Sequence, residues 1–221
     1  MDSAVIFDVD GVLLDLTAPE EDAFFLAFER RYGLKGLSRD WDSYKVRNDE
    51  HIIAEILERH GLPADDRAAV AEDYLSILQD GLAKATLRSI AIPGAADLLR
   101  TLTNSHCLGI ATANLLSAAR IRLASLDMWN PVSSLAFGAE GSGHKRETVA
   151  RAIAASGLPK HRIVYVGDNL NDVDAGLSNG AHFIGFSESA ARRETLAAAG
   201  AVHLSGNHHT TARLITGLLE R

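Results

Sequence analysis

Short apolar runs recur along most of this chain, and each ends in small or polar residues. Runs of this kind are typical of buried parallel strands, and they lie at residues 4–7, 107–111, 134–138, 163–166 and 181–185. Segments with the spacing of amphipathic helices lie between them, at residues 95–102, 118–126, 147–155, 174–178 and 189–198. Strands that alternate with helices predict an α/β fold whose core is a doubly wound, Rossmann-like parallel sheet.

The stretch from residue 15 to residue 91 breaks this alternation. It contains amphipathic helices in succession and no convincing strand, and its first helix begins at a capping box formed by Thr17 and Glu20. We therefore predict two parts. An α/β core is formed by residues 1–14 and 92–221, and a helical insertion occupies residues 15–91.

Composition argues against several classes of partner and site. The 29 acidic and 22 basic residues give a net charge of −7 with no basic run, which argues against nucleic acid and anionic membranes as partners. No apolar run approaches the roughly 18 residues that cross a bilayer. Cys107 has no disulfide partner and the amino terminus lacks a signal-peptide pattern, so we expect a cytoplasmic protein. His208 and His209 follow a polar stretch, and we interpret them as a surface loop rather than a metal site.

Two carboxylates follow the first predicted strand. Asp8 and Asp10 are two residues apart, so the strand period of two sends both toward the same side at its carboxyl end. Ligands of open α/β sheets bind at that end, and two carboxylates there need a cation or a proton to share. Gly11 allows a sharp exit from the strand. Taken alone, this pair is equally compatible with a solvated turn.

Groups suited to phosphate chemistry follow the later strands. Thr112 and Asn114 offer a hydroxyl and an amide after the second strand, and Asp168 and Asp172 follow the fourth. Lys145 begins a helix, where its ammonium and free backbone N–H groups could face an anion. Together with the first pair, these residues predict a site for a phosphorylated ligand.

The same residues resemble the haloacid dehalogenase-like (HAD) superfamily. Its four motifs occur in order as Asp8-Val9-Asp10, Thr112, Lys145 and Gly167-Asp168-x-x-x-Asp172. The insertion after the first motif is similar to the helical cap of phosphoglycolate phosphatase-like members, and the interval from Thr112 to Lys145 is too short for the alternative α/β cap. The resemblance implies a phosphatase that hydrolyses a small phosphorylated metabolite, either phosphoglycolate-like or a sugar phosphate. It also implies Mg²⁺ as cofactor, and we expect a monomer or homodimer.

The resemblance implies roles for the carboxylates. Asp8 would be the nucleophile that forms an aspartyl-phosphate, and it would also bind the metal. Asp10 would be the general acid and base, and its carbonyl would ligate the metal. Asp168 would complete the magnesium site. Asp172 would either coordinate the metal through water or hold Lys145 in place.

The resemblance also implies substrate-binding residues. Lys145, with Arg146 as the fallback, would offset the charges of the carboxylates and the phosphate, while Thr112 would hold a transferring oxygen. Asn114 would serve the phosphate or only the turn. Arg47 lies where family caps reach toward the substrate, although it could equally be a solvated loop charge.

Alternatives within and beyond the family remain. Asp10 argues against a 2-haloacid dehalogenase, and it also counts against a phosphonoacetaldehyde hydrolase, for which Lys45 would be the cap lysine. A sugar-phosphate mutase similar to beta-phosphoglucomutase keeps both aspartates and stays open. A catalytically silent binding module is the remaining class, and the complete set of motifs argues against it. Leu16 stands where the family usually has Ser or Thr, which weakens any inferred specificity.

Overall fold

The computed structural model describes residues 1–220. The strands are β1 (Ala4–Phe7), β2 (Leu14–Asp15), β3 (Ile90–Ala91), β4 (Cys107–Ala111), β5 (Ala136–Phe137), β6 (Ile163–Gly167), β7 (His182–Phe186) and β8 (His203–Ser205). The helices are α1 (Ala18–Tyr32), α2 (Asp49–Arg59), α3 (Arg67–Ala83), α4 (Ala95–Leu102), α5 (Leu116–Ala124), α6 (Lys145–Ser156), α7 (Leu170–Asn179), α8 (Ala190–Ala198) and α9 (His208–Leu219). None of the helices in these residues is long and apolar enough to cross a membrane.

Six parallel strands form the main sheet in the order β5-β4-β1-β6-β7-β8. Alternate residues of β1 enter different apolar clusters, because successive side chains point to opposite faces of a strand. Val5 and Phe7 pack in a cluster with α4 and α9, whereas Ala4 and Ile6 pack in a cluster with α6 and α7. Helices therefore cover both faces of the sheet, and the prediction of a doubly wound α/β fold is confirmed.

Some predicted elements differ from those observed. The strand predicted over residues 134–138 is only β5, since a 3₁₀ helix with a proline in its first turn occupies Asn130–Leu135. The helix predicted at residues 174–178 is the longer α7, which begins at a capping box between Asn169 and Asp172. The pattern of apolar runs also missed β2, β3 and β8, whose two or three residues are too few to show a period.

The helices α1 to α3 lie between the first and second predicted strands and bury an apolar cluster of their own. This cluster includes Phe24, Phe28, Ile56 and Leu78, and core helix α5 joins it through Ala118. The antiparallel pair β2–β3 marks where the chain leaves the sheet and returns to it. We call residues 15–91 the cap; the exact domain boundaries remain a prediction.

The interpretation of His208 as a surface residue is wrong. His208 begins α9, is buried, and stacks on the Phe186 ring with centroids 4.4 Å apart. Its Nε2 lies 2.8 Å from the Val12 carbonyl, so Nε2 carries the proton and donates. Burial lowers the pKa of His208, which keeps the ring neutral. The last helix thereby holds the turn that follows Asp8 and Asp10. His209 is exposed, as expected.

Candidate active site

The sequence-predicted core residues meet at one edge of the sheet. Asp8, Thr112 and Asp168 follow β1, β4 and β6, which are neighbours in the order β4-β1-β6. The carboxyl ends of parallel strands share an edge, so residues far apart in sequence are brought together. A hydrogen bond from the Asp8 backbone N–H to the Val166 carbonyl, 2.8 Å long, continues the pairing to this point.

Lys145 lies at the centre of a buried charge cluster. Its Nζ is 2.6 Å from Asp8 Oδ1 and 3.2 Å from Asp172 Oδ1. The Tyr165 hydroxyl donates to Asp172 Oδ1 at 2.6 Å, and the backbone N–H groups of Asp168 and Asn169 donate to Asp172 Oδ2. Both oxygens of Asp172 are therefore engaged within the protein. We call Lys145, Asp8, Asp172 and Tyr165 the Lys145 centre.

Burial and neighbouring charges together shift the pKa values of Asp8, Lys145 and Asp168. It raises the pKa of the Asp8 carboxyl well above its usual range; Lys145 opposes this shift, and Asp172 and Asp168 add to it. Burial alone would lower the pKa of Lys145, but Asp172 and Asp8 raise it by more, so the ammonium stays charged. Burial, followed by the nearby Asp172, raises the pKa of Asp168 to about 6. The acids here thus exceed the positive charge that Lys145 supplies.

The excess of acids makes this cluster suitable for a divalent cation. Asp8, Asp168 and Asp172 each place a carboxylate oxygen within 4.8 Å of the others. Carboxylate oxygens are the ligands that Mg²⁺ prefers, so the residues present fit that ion. Gly11 makes room for this arrangement, because a Cβ at its position would lie 2.3 Å from Asp168 Oδ2. The Asp10 carboxylate is outside the cluster.

Asp10 instead pairs with Arg122, a residue that sequence reasoning missed. Arg122 Nη2 lies 2.7 Å from Asp10 Oδ1, and Arg122 Nε lies 3.0 Å from Glu20 Oε1. Burial alone would lower the pKa of Arg122, but Asp10 and Glu20 raise it, so the guanidinium is charged. The Ser89 hydroxyl also donates to Glu20 Oε1, at 2.7 Å. We call Arg122, Asp10, Glu20 and Ser89 the Arg122 centre.

A helical pattern could have identified Arg122. It follows Ala118 by four residues and Ala119 by three, and both alanines are fully buried, so Arg122 occupies the inward face of α5. An arginine on such a face needs a buried anion. The sequence identifies Glu20 only as part of the capping box, which it does form with Thr17.

The predicted substrate-binding residues surround one cavity. Thr112 is buried, and its Oγ1 donates to Asn114 Oδ1 at 3.0 Å. Together with Lys145 and the aspartates, these residues line the core side of a cavity of about 270 Å³. The cap side is lined by residues that include Phe24, Trp41, Arg47, Ile52 and Tyr74.

Of the other predicted cations, only Arg47 lines this cavity in residues 1–220. Lys45 forms an exposed ion pair with Glu58, 3.7 Å apart, and is not among the residues that line the cavity. Arg146 is exposed, so Lys145 is the cation that reaches the carboxylates. Arg47 lines the cavity and donates to Asp42 Oδ1 at 3.0 Å.

Backbone and amide contacts join the cap to the core loops. Asn48 Nδ2 donates to the carbonyls of Ser142 and Gly143, both at 3.1 Å. The Asp49 N–H donates to the Ala113 carbonyl, and Asp49 Oδ2 accepts from the Leu115 N–H. Burial raises the pKa of Asp49 to about 7. These contacts lie next to Thr112 and Asn114, so the cap closes over the site.

Comparison with known proteins agrees with this geometry. The family described as haloacid dehalogenase-like hydrolase matches residues 3–180. The chain is 29% identical over 178 residues to a phosphoglycolate phosphatase of Synechococcus elongatus, covering 78% of this chain and 77% of that protein.

Solved structures share the fold. CbbY from Rhodobacter sphaeroides, solved in complex with phosphate, is similar with a TM-score of 0.76 and 20% identity over 100% of both chains. A hydrolase from Pseudomonas syringae is similar with a TM-score of 0.69 and 20% identity, covering 97% of this chain and 98% of that one. With a family match that spans most of its length, the chain belongs to the haloacid dehalogenase-like hydrolases.

Proposed function

We propose that this protein is a Mg²⁺-dependent phosphatase that hydrolyses a small phosphorylated metabolite through an aspartyl-phosphate on Asp8. The observation that carries the proposal is the placement of Asp8, Lys145, Thr112 and Asp168 around one cavity that the cap closes. Family membership and the similarity to a phosphoglycolate phosphatase support phosphatase activity.

In the first step, an Asp8 oxygen attacks phosphorus as the bond from phosphorus to the ester oxygen breaks. Asp8 Oδ1 accepts from the Val9 N–H at 2.7 Å and pairs with Lys145, which leaves Oδ2 available for attack. Lys145 offsets negative charge as the phosphate approaches. Thr112 and Asn114 hold phosphoryl oxygens, and Asp10 gives its proton to the departing alcohol oxygen.

In the second step, Asp10 takes a proton from water, and that water attacks the phosphorus of the aspartyl-phosphate. The acyl-phosphate bond breaks, inorganic phosphate leaves, and Asp8 is a carboxylate again. The aspartates thus end the cycle in the state in which they began.

The metal would be held by the Asp8 and Asp168 carboxylates and the Asp10 carbonyl. Bound Mg²⁺ would neutralise phosphoryl charge that Lys145 alone does not offset. We assign Asp172 to holding Lys145, because both of its oxygens already accept hydrogen bonds from Tyr165 or from backbone N–H groups.

The cap restricts the substrate to a small molecule. A cavity of about 270 Å³ lined by Phe24, Trp41 and Ile52 leaves no room for a macromolecule. Arg47 is the cap cation that would meet a second anionic group. Lys45 lies at the surface, which argues against the phosphonoacetaldehyde hydrolase alternative.

The test is phosphate release from a panel of small phosphate esters with Mg²⁺. We expect release that is abolished by Asp8→Asn and by chelation, and retained by Asp97→Asn, a matched change at an exposed position. Mass spectrometry of acid-quenched enzyme should find phosphate on Asp8. Release that survives Asp8→Asn, or no release from any ester, would contradict the proposal. Phosphoryl transfer between sugars without net release would instead support the mutase.

A further inference from the structure

We propose that Arg122 is a positioning residue that orients the Asp10 carboxyl for proton transfer and makes that orientation depend on the cap. The inference rests on the proposed function, since it assigns Asp10 as the acid toward the leaving alcohol. Its evidence is the Arg122 centre, in which one buried guanidinium contacts a catalytic loop of the core and a helix of the cap.

The two contacts of Arg122 use different nitrogens. Nη2 meets Asp10 and Nε meets Glu20, so the direction of the planar guanidinium is set by Glu20. Glu20 is itself held, because its Oε1 accepts from Ser89 and its Oε2 accepts from the Thr17 N–H at 3.2 Å and hydroxyl at 3.0 Å. Arg122 and Glu20 are each only 1% exposed, so water does not replace these contacts.

The pairing distinguishes the two oxygens of Asp10. Oδ1 is buried against Arg122, whereas the side chain as a whole is 25% exposed and lines the cavity. Oδ2 is therefore the oxygen that can carry the proton to the ester oxygen. When that proton leaves, the carboxyl becomes negatively charged, and the adjacent guanidinium stabilises the charge as it forms.

The Arg122 centre also lies at the connection between cap and core. Arg122 Nη2 donates to the Asp15 carbonyl at 3.4 Å, at the end of β2, and Ser89 immediately precedes β3. These two paired strands connect the core to the cap. A movement of the cap would displace Glu20 and both connecting strands together, and the Asp10 carboxyl would lose its orientation.

The test compares two esters that carry the same phosphoryl group. An alkyl phosphate from the panel needs a proton on its leaving oxygen, whereas the nitrophenolate of p-nitrophenyl phosphate leaves without one. In Arg122→Lys, which keeps the charge and loses the planar guanidinium, we expect kcat/KM for the alkyl ester to fall at least about tenfold more than kcat/KM for the aryl ester. We compare kcat/KM because it reports the step in which the ester oxygen departs, whereas kcat also contains the attack of water, in which Asp10 acts as base for both esters.

Two further variants keep the proposal falsifiable. Glu20→Gln removes the anchor and leaves the contact to Asp10, so it should show the same selectivity with a smaller loss, even if Arg122→Lys fails to fold. Arg120→Met, an exposed arginine of the same helix, should leave both rates unchanged. Equal losses on the two esters, or no loss, would overturn the proposal. Wild-type protein that is inactive on both esters would refute the proposed function itself.

Discussion

Two buried cations, Lys145 and Arg122, each bind two carboxylates in this site, but different parts of the fold build their surroundings. Asp8 and Asp172, the partners of Lys145, follow the neighbouring strands β1 and β6. The partners of Arg122 are Asp10 in the core and Glu20 in the cap. The Lys145 centre is therefore a product of the sheet, whereas the Arg122 centre forms only when the cap packs on the core.

The chemistry of the two side chains suits these locations. A lysine ammonium is a compact charge that accepts several arrangements of partners, so it can serve a site where a phosphate must enter and leave. A guanidinium binds through fixed directions and suits a place where geometry has to be preserved. We therefore expect the loss of Lys145 to act mainly on catalysis and the loss of Arg122 to act strongly on stability.

Replacing Lys145 should produce the largest effect. In Lys145→Met we expect kcat/KM for the best ester to fall by about 10³-fold, because one preorganised charge near the transferring phosphoryl group is lost. Steady-state phosphate release measures this. Lys84→Met, which changes an exposed lysine of the cap, is the control and should keep full activity. A loss below tenfold in Lys145→Met would show that the ammonium is not part of the site.

Replacing Arg122 should destabilise the folded protein, because two carboxylates share this cation. We expect Arg122→Met to lower the free energy of unfolding by about 3 kcal/mol, because Asp10 and Glu20 lose their shared cation. Urea denaturation at pH 7 measures this change. The double variant Arg122→Met/Glu20→Gln should recover part of the loss, since one of the unpaired carboxylates is gone. If the losses of unfolding free energy in the two single variants simply add in the double variant, the result would argue against a shared centre.

Asp49 provides a third case, a buried carboxylate at the contact of cap and core with no ion-pair partner in residues 1–220. Burial raises its pKa from 3.8 to about 7, so between these values the folded protein binds a proton that the unfolded chain releases. Stability from this group therefore falls as pH rises through that range. Asparagine cannot ionise, so Asp49→Asn should gain stability relative to wild type.

The gain of Asp49→Asn should be larger at pH 8 than at pH 5, by about 2 to 3 kcal/mol. Urea denaturation of both proteins at the two pH values measures the difference. Asp97→Asn, the same change at an exposed position, is the control. A pH-independent gain at position 49 would mean that Asp49 is already ionised in the folded protein.

The predicted site positions that the structure brings together share one physical property. The apolar runs of β1, β4 and β6 determine parallel strands, and parallel strands bring their carboxyl ends to the same edge. Asp8, Thr112 and Asp168 are therefore placed by local patterns, and the structure brings them together as expected. The helical insertion is equally visible, because its amphipathic helices follow one another with no apolar strand run between them.

Contacts between helices from different parts of the chain were decided only by tertiary structure. Arg122 and Glu20 are 102 residues apart, and His208 reaches Val12 across 196 residues. Neither contact belongs to a period or a strand edge, so no pattern in the sequence specifies the partner. The sequence by itself determined the sheet and the acids at its edge, through the period of two and the burial of apolar runs. Packing of the cap decided which cation holds Asp10, and packing of the last helix decided what holds the turn at Val12, because both choices depend on which surfaces meet.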